Sequence, residues 1–386
     1  MILLSALHAP AADSAARWYK GNTHTHTWWS DGDAPPDFVV KWYKDNGYDF
    51  LALSDHDILS VGEKWIAVEG RRAQMAEECV KAFGGETMAT RQRDGKTEYK
   101  LTTLDELRKR FESPGEFLMI QAEEISDSFE GKPVHLNGVN LKELIPPQRG
   151  DSIRETMQNN IDAVLAQRKR TGQPMFPHVN HPNYHWAITA EDIMHLRGEQ
   201  FFEVYNGHPV VNDEGDDTHP STERMWDMIL AARLGRLNLP VMYGVATDDA
   251  HSYGPRNIKH ANPGRGWVVV RAKSLSANDI VLAMERGEFY ASTGVVLEDV
   301  RFDGATLAID IKPSEGVTYK TQFIGTMKDS AETGAVFKTQ EGLHASYDLT
   351  GDELYVRAKV SSSVKHPYPR VEGEMQVAYV QPVEPR

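Results

Sequence analysis

Two histidines stand two residues apart in Gly21-Asn22-Thr23-His24-Thr25-His26-Thr27. The stretch 20–27 reads as a strand, whose side-chain period of two turns both imidazoles to one face, where they can share one cation. Asp31 follows five residues after His26, in Trp29-Ser30-Asp31-Gly32. Four further predicted strands finish in the same kinds of side chain. The run 50–54 breaks into Asp55-His56-Asp57, and 117–126 carries Glu123-Glu124, with His135 eleven residues after Glu124. The run 175–180 supplies His178 and then His181, and 241–247 leads into Asp248-Asp249-Ala250-His251. A lone histidine is more often a hydrogen-bonded structural residue than a ligand. Ionisable groups gathered at a partly buried barrel mouth are costly, however, unless something such as a metal compensates them. Cys79 is the only cysteine, so an intramolecular disulfide is excluded and thiolate ligation is not expected. Imidazole and carboxylate donors suit Zn, Mn or Fe(II) and do not choose among them.

These groups need a frame to hold them. From 18 to 296 short apolar runs alternate with amphipathic stretches, which is the rhythm of an α/β domain. A strand over 201–206 and helices over 153–170 and 221–234 add to those above. Seven or eight such units close a barrel that carries its chemistry at the strand C-termini. The charged stretch 62–115 is too long for a strand connection and reads as an insertion of mainly helical character, a lid or a surface decoration. Beyond 296 the pattern changes to period two (Leu307, Ile309, Ile311; Leu354, Val356, Ala358, Val360), so 297–386 is expected to be a small antiparallel, β-sandwich-like domain.

Residues 1–17 read as a leader. Ile2, Leu3, Leu4 and Leu7 followed by Ala11-Ala12 resemble the end of a signal peptide without its basic start. The expected location is periplasmic or secreted, with the cytoplasm as the alternative. No apolar run approaches the roughly 20 residues of a membrane span. With 42 basic against 56 acidic side chains, a net charge of -14 and no basic stripe, a nucleic-acid polymer is not an expected partner. Nothing in the sequence speaks to oligomeric state.

His24-Thr-His26, Ser30-Asp31-Gly32, Ser54-Asp55-His56-Asp57, Glu124-Ile-Ser126, His135, His181-Pro182 and Asp249-Ala-His251 occur in this order within 18–251. In this the chain resembles the PHP (polymerase and histidinol phosphatase) family of metal-dependent hydrolases, relatives of the amidohydrolases with a distorted (β/α)7 barrel. Trp18-Tyr19-Lys20-Gly21-Asn22, Phe289-Tyr290-Ala291-Ser292-Thr293-Gly294 and the C-terminal β region further resemble the branch that includes carbaryl hydrolase. The resemblance implies two or three divalent ions. One would be held by His24, His26, Glu124 and Asp249, with Glu124 bridging to a second on His135 and His181, and a third would sit on Asp31, His56 and His251. His178 stays open as an alternative to His181, and Asp248 to Asp249.

Three carboxylates among nine ligands leave such a centre net positive, which lowers the pKa of a bridging water and draws in a small anionic substrate. The expected activity is phosphoester hydrolysis of a small phosphomonoester or nucleotide-like molecule by the bridging hydroxide. Asp249 is its central residue. His178, His185 and His208 are candidate proton donors, and Arg256 and Arg265 candidate phosphate clamps. Trp28 and Trp29 could wall the substrate or simply pack. The first alternative is carboxylic or carbamate ester hydrolysis at the same centre. The second is a non-catalytic secreted metal- or glycan-binding protein.

Overall fold

The structure, a computed structural model, describes residues 16–84 and 88–385; most of the expected leader lies outside the described residues. In chain order the elements begin β1 (Arg17–Asn22), α1 (Pro36–Asp45), β2 (Phe50–Leu53), β3 (Trp65–Ala67), α2 (Arg71–Ala82), β4 (Thr90–Arg93), β5 (Lys96–Lys100) and α3 (Leu104–Phe111). They continue β6 (Leu118–Phe129), β7 (Lys132–Val139), α4 (Ile153–Thr171), β8 (Phe176–Val179), α5 (Ala190–Met194), β9 (Phe201–Asn206) and α6 (Thr222–Ala232). Next come β10 (Tyr243–Thr247), β11 (Trp267–Ala272), α7 (Ala277–Glu285) and β12 (Phe289–Ser292). The C-terminal part is all strand: β13 (Leu297–Phe302), β14 (Thr306–Ile311), β15 (Tyr319–Met327), β16 (Ala335–Glu341), β17 (His344–Asp348), β18 (Glu353–Lys365) and β19 (Met375–Val383).

The helices start where the local chemistry directs. Ser152 caps α4 by accepting from the Glu155 amide, and Thr103 and Glu106 form a reciprocal capping box on α3. Gly172 ends α4 in the left-handed conformation, φ 69°, which costs glycine nothing.

One 13-stranded sheet has the order β10-β9-β8-β7-β6-β2-β1-β11-β12-β19-β18-β15-β16. β1, β2 and β6 run parallel, as do β8, β9 and β10, with β7 antiparallel between the two groups. No ladder among the described residues joins β10 back to β1, so in the ladders the sheet is open. The segments just past these strands do meet, through an isolated parallel bridge from Thr25 to Ala250. There the His26 amide donates to the Ala250 carbonyl and the Asp249 amide to the His24 carbonyl, both at 3.0 Å.

Two expectations change in detail. The 62–115 stretch is not helical throughout, because β3, β5 and β4 form a three-stranded sheet beside α2 and α3. Its hairpin turns at Asp94-Gly95, both with positive φ (51° and 75°), the Asp-Gly turn that matches strand twist. The C-terminal strands are also not a sheet apart. β12 pairs with β19, which carries the large sheet into this region, and only β13-β14-β17 is separate. That small sheet packs Leu307, Ile309 and Ile311 against Val356, Ala358 and Val380 of the large one, a two-layer, sandwich-like arrangement. At the join the buried Arg357 on β18 makes two 2.8 Å bonds to Asp227 on α6.

Candidate metal centre

β1 ends at Asn22, so His24 and His26 lie just beyond the strand rather than within it. The chain bends at Thr23, and the isolated bridge at Thr25 lies between the two histidines, whose ring centroids are 5.2 Å apart. His24 Nε2 is 3.3 Å from both Glu124 Oε2 and Asp249 Oδ1, and His26 Nε2 is 3.3 and 3.2 Å from the same two oxygens. All four atoms are buried and none makes a hydrogen bond. Uncompensated buried polar atoms are expensive, and four of them facing one another fit a shared cation. An ion about 2.0–2.1 Å from a tetrahedral donor set leaves its ligands roughly 3.3 Å apart.

Glu124 turns its other oxygen away from this group. Oε1 is 3.1 Å from His135 Nδ1 and 3.1 Å from His181 Nε2, and it accepts from Asn180 Nδ2 at 2.8 Å. A third group gathers on Asp31, whose carboxylate is 3.4 Å from His251 Nε2 and 3.7 Å from His56 Nε2, with His26 beside it. The structure thus brings His24, His26, Asp31, His56, Glu124, His135, His181, Asp249 and His251 into one contiguous cluster.

Neighbouring groups orient these rings. Glu203 Oε1 lies 2.7 Å from His24 Nδ1, and the Asp249 carbonyl 2.9 Å from His251 Nδ1. A bond at Nδ1 places a proton there, so Nε2 is the nitrogen left for a cation to take. Asp55 accepts from the Thr27 amide and the Ser30 hydroxyl, each at 2.7 Å, and so holds the turn that carries Asp31. Gly32 closes that turn so tightly that a Cβ would lie 2.7 Å from the His26 backbone. Asp249 and His181 adopt positive φ, 45° and 25°, backbone strain of about 1–3 kcal/mol each that tends to collect at functional sites. Burial opposes charge in the cluster; it prevails at His135, whose pKa is lowered, whereas mutual attraction outweighs it at His24, Glu124 and Asp249. Asp249, Glu124 and Glu203 hold His24 well above its usual pKa, and the histidines hold Glu124 and Asp249 well below theirs.

A cavity of about 160 Å³ opens on the cluster, walled also by Tyr184, His208 and Val211. Burial lowers His208 to about 4, which leaves its ring neutral near pH 7. Tyr184, on the loop after His181, packs against His181 with ring centroids 5.2 Å apart, and burial raises its phenol pKa.

Several sequence candidates stand elsewhere. His178 is fully buried beneath His24, ring centroids 6.3 Å apart, and burial lowers it to about 4; no substrate reaches it. Arg265 is not free to clamp phosphate, because its guanidinium donates to the carbonyls of Gly207 (2.7 Å), Tyr368 (3.1 Å) and Asn257 (3.2 Å). Arg256 stacks on Tyr368 and His185 is exposed beside Tyr184; neither lines the cavity. Trp28 and Trp29 are buried in the core with α1 and α3 rather than walling the site. Asp248 accepts from the Arg265 and Gly266 amides and from Tyr43, leaving Asp249 to face the cavity. Sequence reasoning passed over Glu203 and Tyr184. Glu203 could have been flagged as a lone acid inside the apolar run Phe201-Phe202-Glu203-Val204, whereas Tyr184 gives no local signal.

No family model and no curated protein matches the chain. Among solved structures it is similar to a two-domain protein from Bacteroides vulgatus that contains a predicted PHP-like metal-dependent phosphoesterase, at 15% identity over 98% of this chain and 99% of that one, TM-score 0.42. It is also similar to an amidohydrolase from Chromobacterium violaceum solved with sulfate and no metal, at 14% identity over 61% and 88% of the two chains, TM-score 0.32. An inferred metal-dependent phosphoesterase from Bifidobacterium adolescentis shares 15% identity over 61% and 89%, TM-score 0.28.

Proposed function

We propose that the chain is a metal-dependent hydrolase that cleaves a small phosphomonoester or nucleotide-like substrate. One observation carries this reading: four buried donor atoms, His24 Nε2, His26 Nε2, Glu124 Oε2 and Asp249 Oδ1, face one another without hydrogen bonds. Glu124 extends this group toward His135 and His181, and Asp31 gathers His56 and His251, so the donor set has room for two or three divalent ions of the Mn, Zn or Fe kind. When bound, such ions supply Lewis-acid charge and lower the pKa of water.

The chain's own residues do the rest. Glu203 and the Asp249 carbonyl engage Nδ1 of His24 and His251 and so leave Nε2 of each to a cation. The 160 Å³ cavity admits the reacting group. Tyr184, which lines the cavity against His181, is placed to donate a hydrogen bond or a proton to the departing oxygen. His208, neutral, can accept one.

A second reading, hydrolysis of a carboxylic or carbamate ester, draws support from the cavity wall, which contains no lysine or arginine among the described residues. A phosphate dianion would then depend on the ions alone for charge. Side-by-side turnover of an aryl phosphate, the matching acetate and the matching carbamate by protein loaded with Mn or Zn separates the two. Metal-dependent phosphate release that Asp249→Ala abolishes is expected. Turnover of the carbon esters alone would replace the first reading with the second, and no turnover despite bound metal would overturn both.

A further inference from the structure

A second cavity, of about 1030 Å³, lies between the α/β part and the C-terminal strands, in the size range of small-molecule sites. Its floor is the segment 204–214, the start of α6 and the neighbouring faces of β15, β18 and β19. It is not an anion site. Five carboxylates and three cationic side chains line it, and two of the cations are already paired, Arg370 with Glu214 at 2.9 Å and Lys359 with Glu223 at 2.5 Å. Among the wall groups Asp213 Oδ1 and Arg370 Nε, on residues 6% and 5% exposed, have no hydrogen-bond partner. Their side chains face each other as an ion pair, Arg370 Nη2 lying 3.6 Å from Asp213 Oδ2, so this part of the wall presents charges already paired with each other rather than a free cation. Three tyrosine rings, Tyr205, Tyr319 and Tyr379, supply apolar faces, and a row of serines on β18 adds further hydroxyls. Aromatic faces with polar edges suit a ring that is apolar above and hydroxylated around its rim.

The same segment walls the metal centre from the other side. Val211, which lines the metal cavity, accepts from Arg370 Nη1 at 3.1 Å. Asp213 accepts from the Asn206 amide at 2.8 Å, and the Asn206 side chain donates to Asp249 at 3.1 Å.

We propose that this cleft binds a neutral polyhydroxylated ligand, a saccharide of one to a few rings, against the back of the wall that lines the metal cavity. The inference does not depend on which ester the metal centre hydrolyses, and its test is binding rather than turnover.

The full chain is titrated with maltotriose, cellotriose and triacetylchitotriose to about 10 mM, a range that detects millimolar affinities, and hydrogen exchange locates the bound sugar. At least one of these saccharides is expected to bind and to protect peptides covering 204–214, 317–320 and 359–363. Ser361→Trp, which fills the cleft, is expected to weaken binding at least about tenfold with metal content unchanged. Thr318→Trp, at an exposed lining position, gives the same answer if Ser361→Trp misfolds. Absence of binding by all three sugars, protection confined to other peptides, wild-type affinity in both variants, or capture of inorganic phosphate in the cleft in place of sugar would each overturn the proposal.

Discussion

Glu203→Gln is the sharpest probe of how the metal centre is built. The Glu203 carboxylate is fully buried and receives four bonds of 2.7 Å. Oε1 accepts from His24 Nδ1 and Thr247 Oγ1, and Oε2 from the His181 amide and Asn206 Nδ2. Glutamine keeps the shape but turns one oxygen into an NH₂ group, so on whichever side that group falls it meets donors. Toward His24 it expels the Nδ1 proton to Nε2 and removes the donor atom. Toward His181 it leaves two N–H groups unpaired. Two buried bonds to a charged acceptor at about 1.5–3 kcal/mol each put the stability loss near 3–6 kcal/mol. Loss of an orienting partner typically costs about 10–100-fold in metal affinity. The measurements are a urea midpoint for stability, and metal affinity by competition with a chelator. A variant that unfolds at lower urea yet binds Mn or Zn within about twofold of the wild type would refute the orienting role and leave Glu203 a packing residue only.

Arg357→Met should lower stability by about 3–5 kcal/mol, because it strands the buried Asp227 carboxylate, and adding Asp227→Asn should recover part of that loss; urea titration of both variants checks it, and equal loss in the two would refute it. Lys20 sits between the rings of Tyr48 and Trp267, 3.8 and 4.1 Å from their centroids, and burial lowers its pKa to about 8 from 10.5 against the pull of Asp248 and Asp49. Between these two values the unfolded chain binds more protons, so this lysine makes stability rise with pH across the window, by about 3 kcal/mol in all. The stability of Lys20→Met relative to wild type should therefore fall by that amount from pH 7.5 to 11, and a constant difference across that range would contradict the shift.

Much of the candidate site was legible because parallel strands end in it. A run such as Phe50-Leu51-Ala52-Leu53 that breaks into Asp55-His56-Asp57 has to place those side chains at the sheet's C-terminal edge, whatever lies around them. His24, His181 and Asp249 carry the same signal, whereas Glu124 sits inside the longer β6, past the stretch that pairs with β2; the period-two alternation of Leu307, Ile309 and Ile311 marked β14 in the same way. The hairpin at Asp94-Gly95 carries an equally local signal, an Asp-Gly pair set among charged residues that mask the alternation of its strands. Arg265 shows the opposite case. An arginine between two glycines reads as an exposed cation, and only the approach of Gly207, Asn257 and Tyr368, distant in sequence, shows that its donors are all engaged.

Local order along the chain therefore determined which residue types follow the strands, the exclusion of an intramolecular disulfide and the change of pattern at 296. These follow from side-chain period and composition, which neighbours in sequence suffice to set. Tertiary structure alone decided which oxygen of Glu124 faces which histidine, that Glu203 rather than a nearer group orients His24, that Trp28 and Trp29 pack inward, and that the C-terminal strands extend the main sheet. Each of these depends on atoms brought within about 3–4 Å from positions far apart in sequence, and hydrogen-bond and contact energies at that range leave no trace in local spacing.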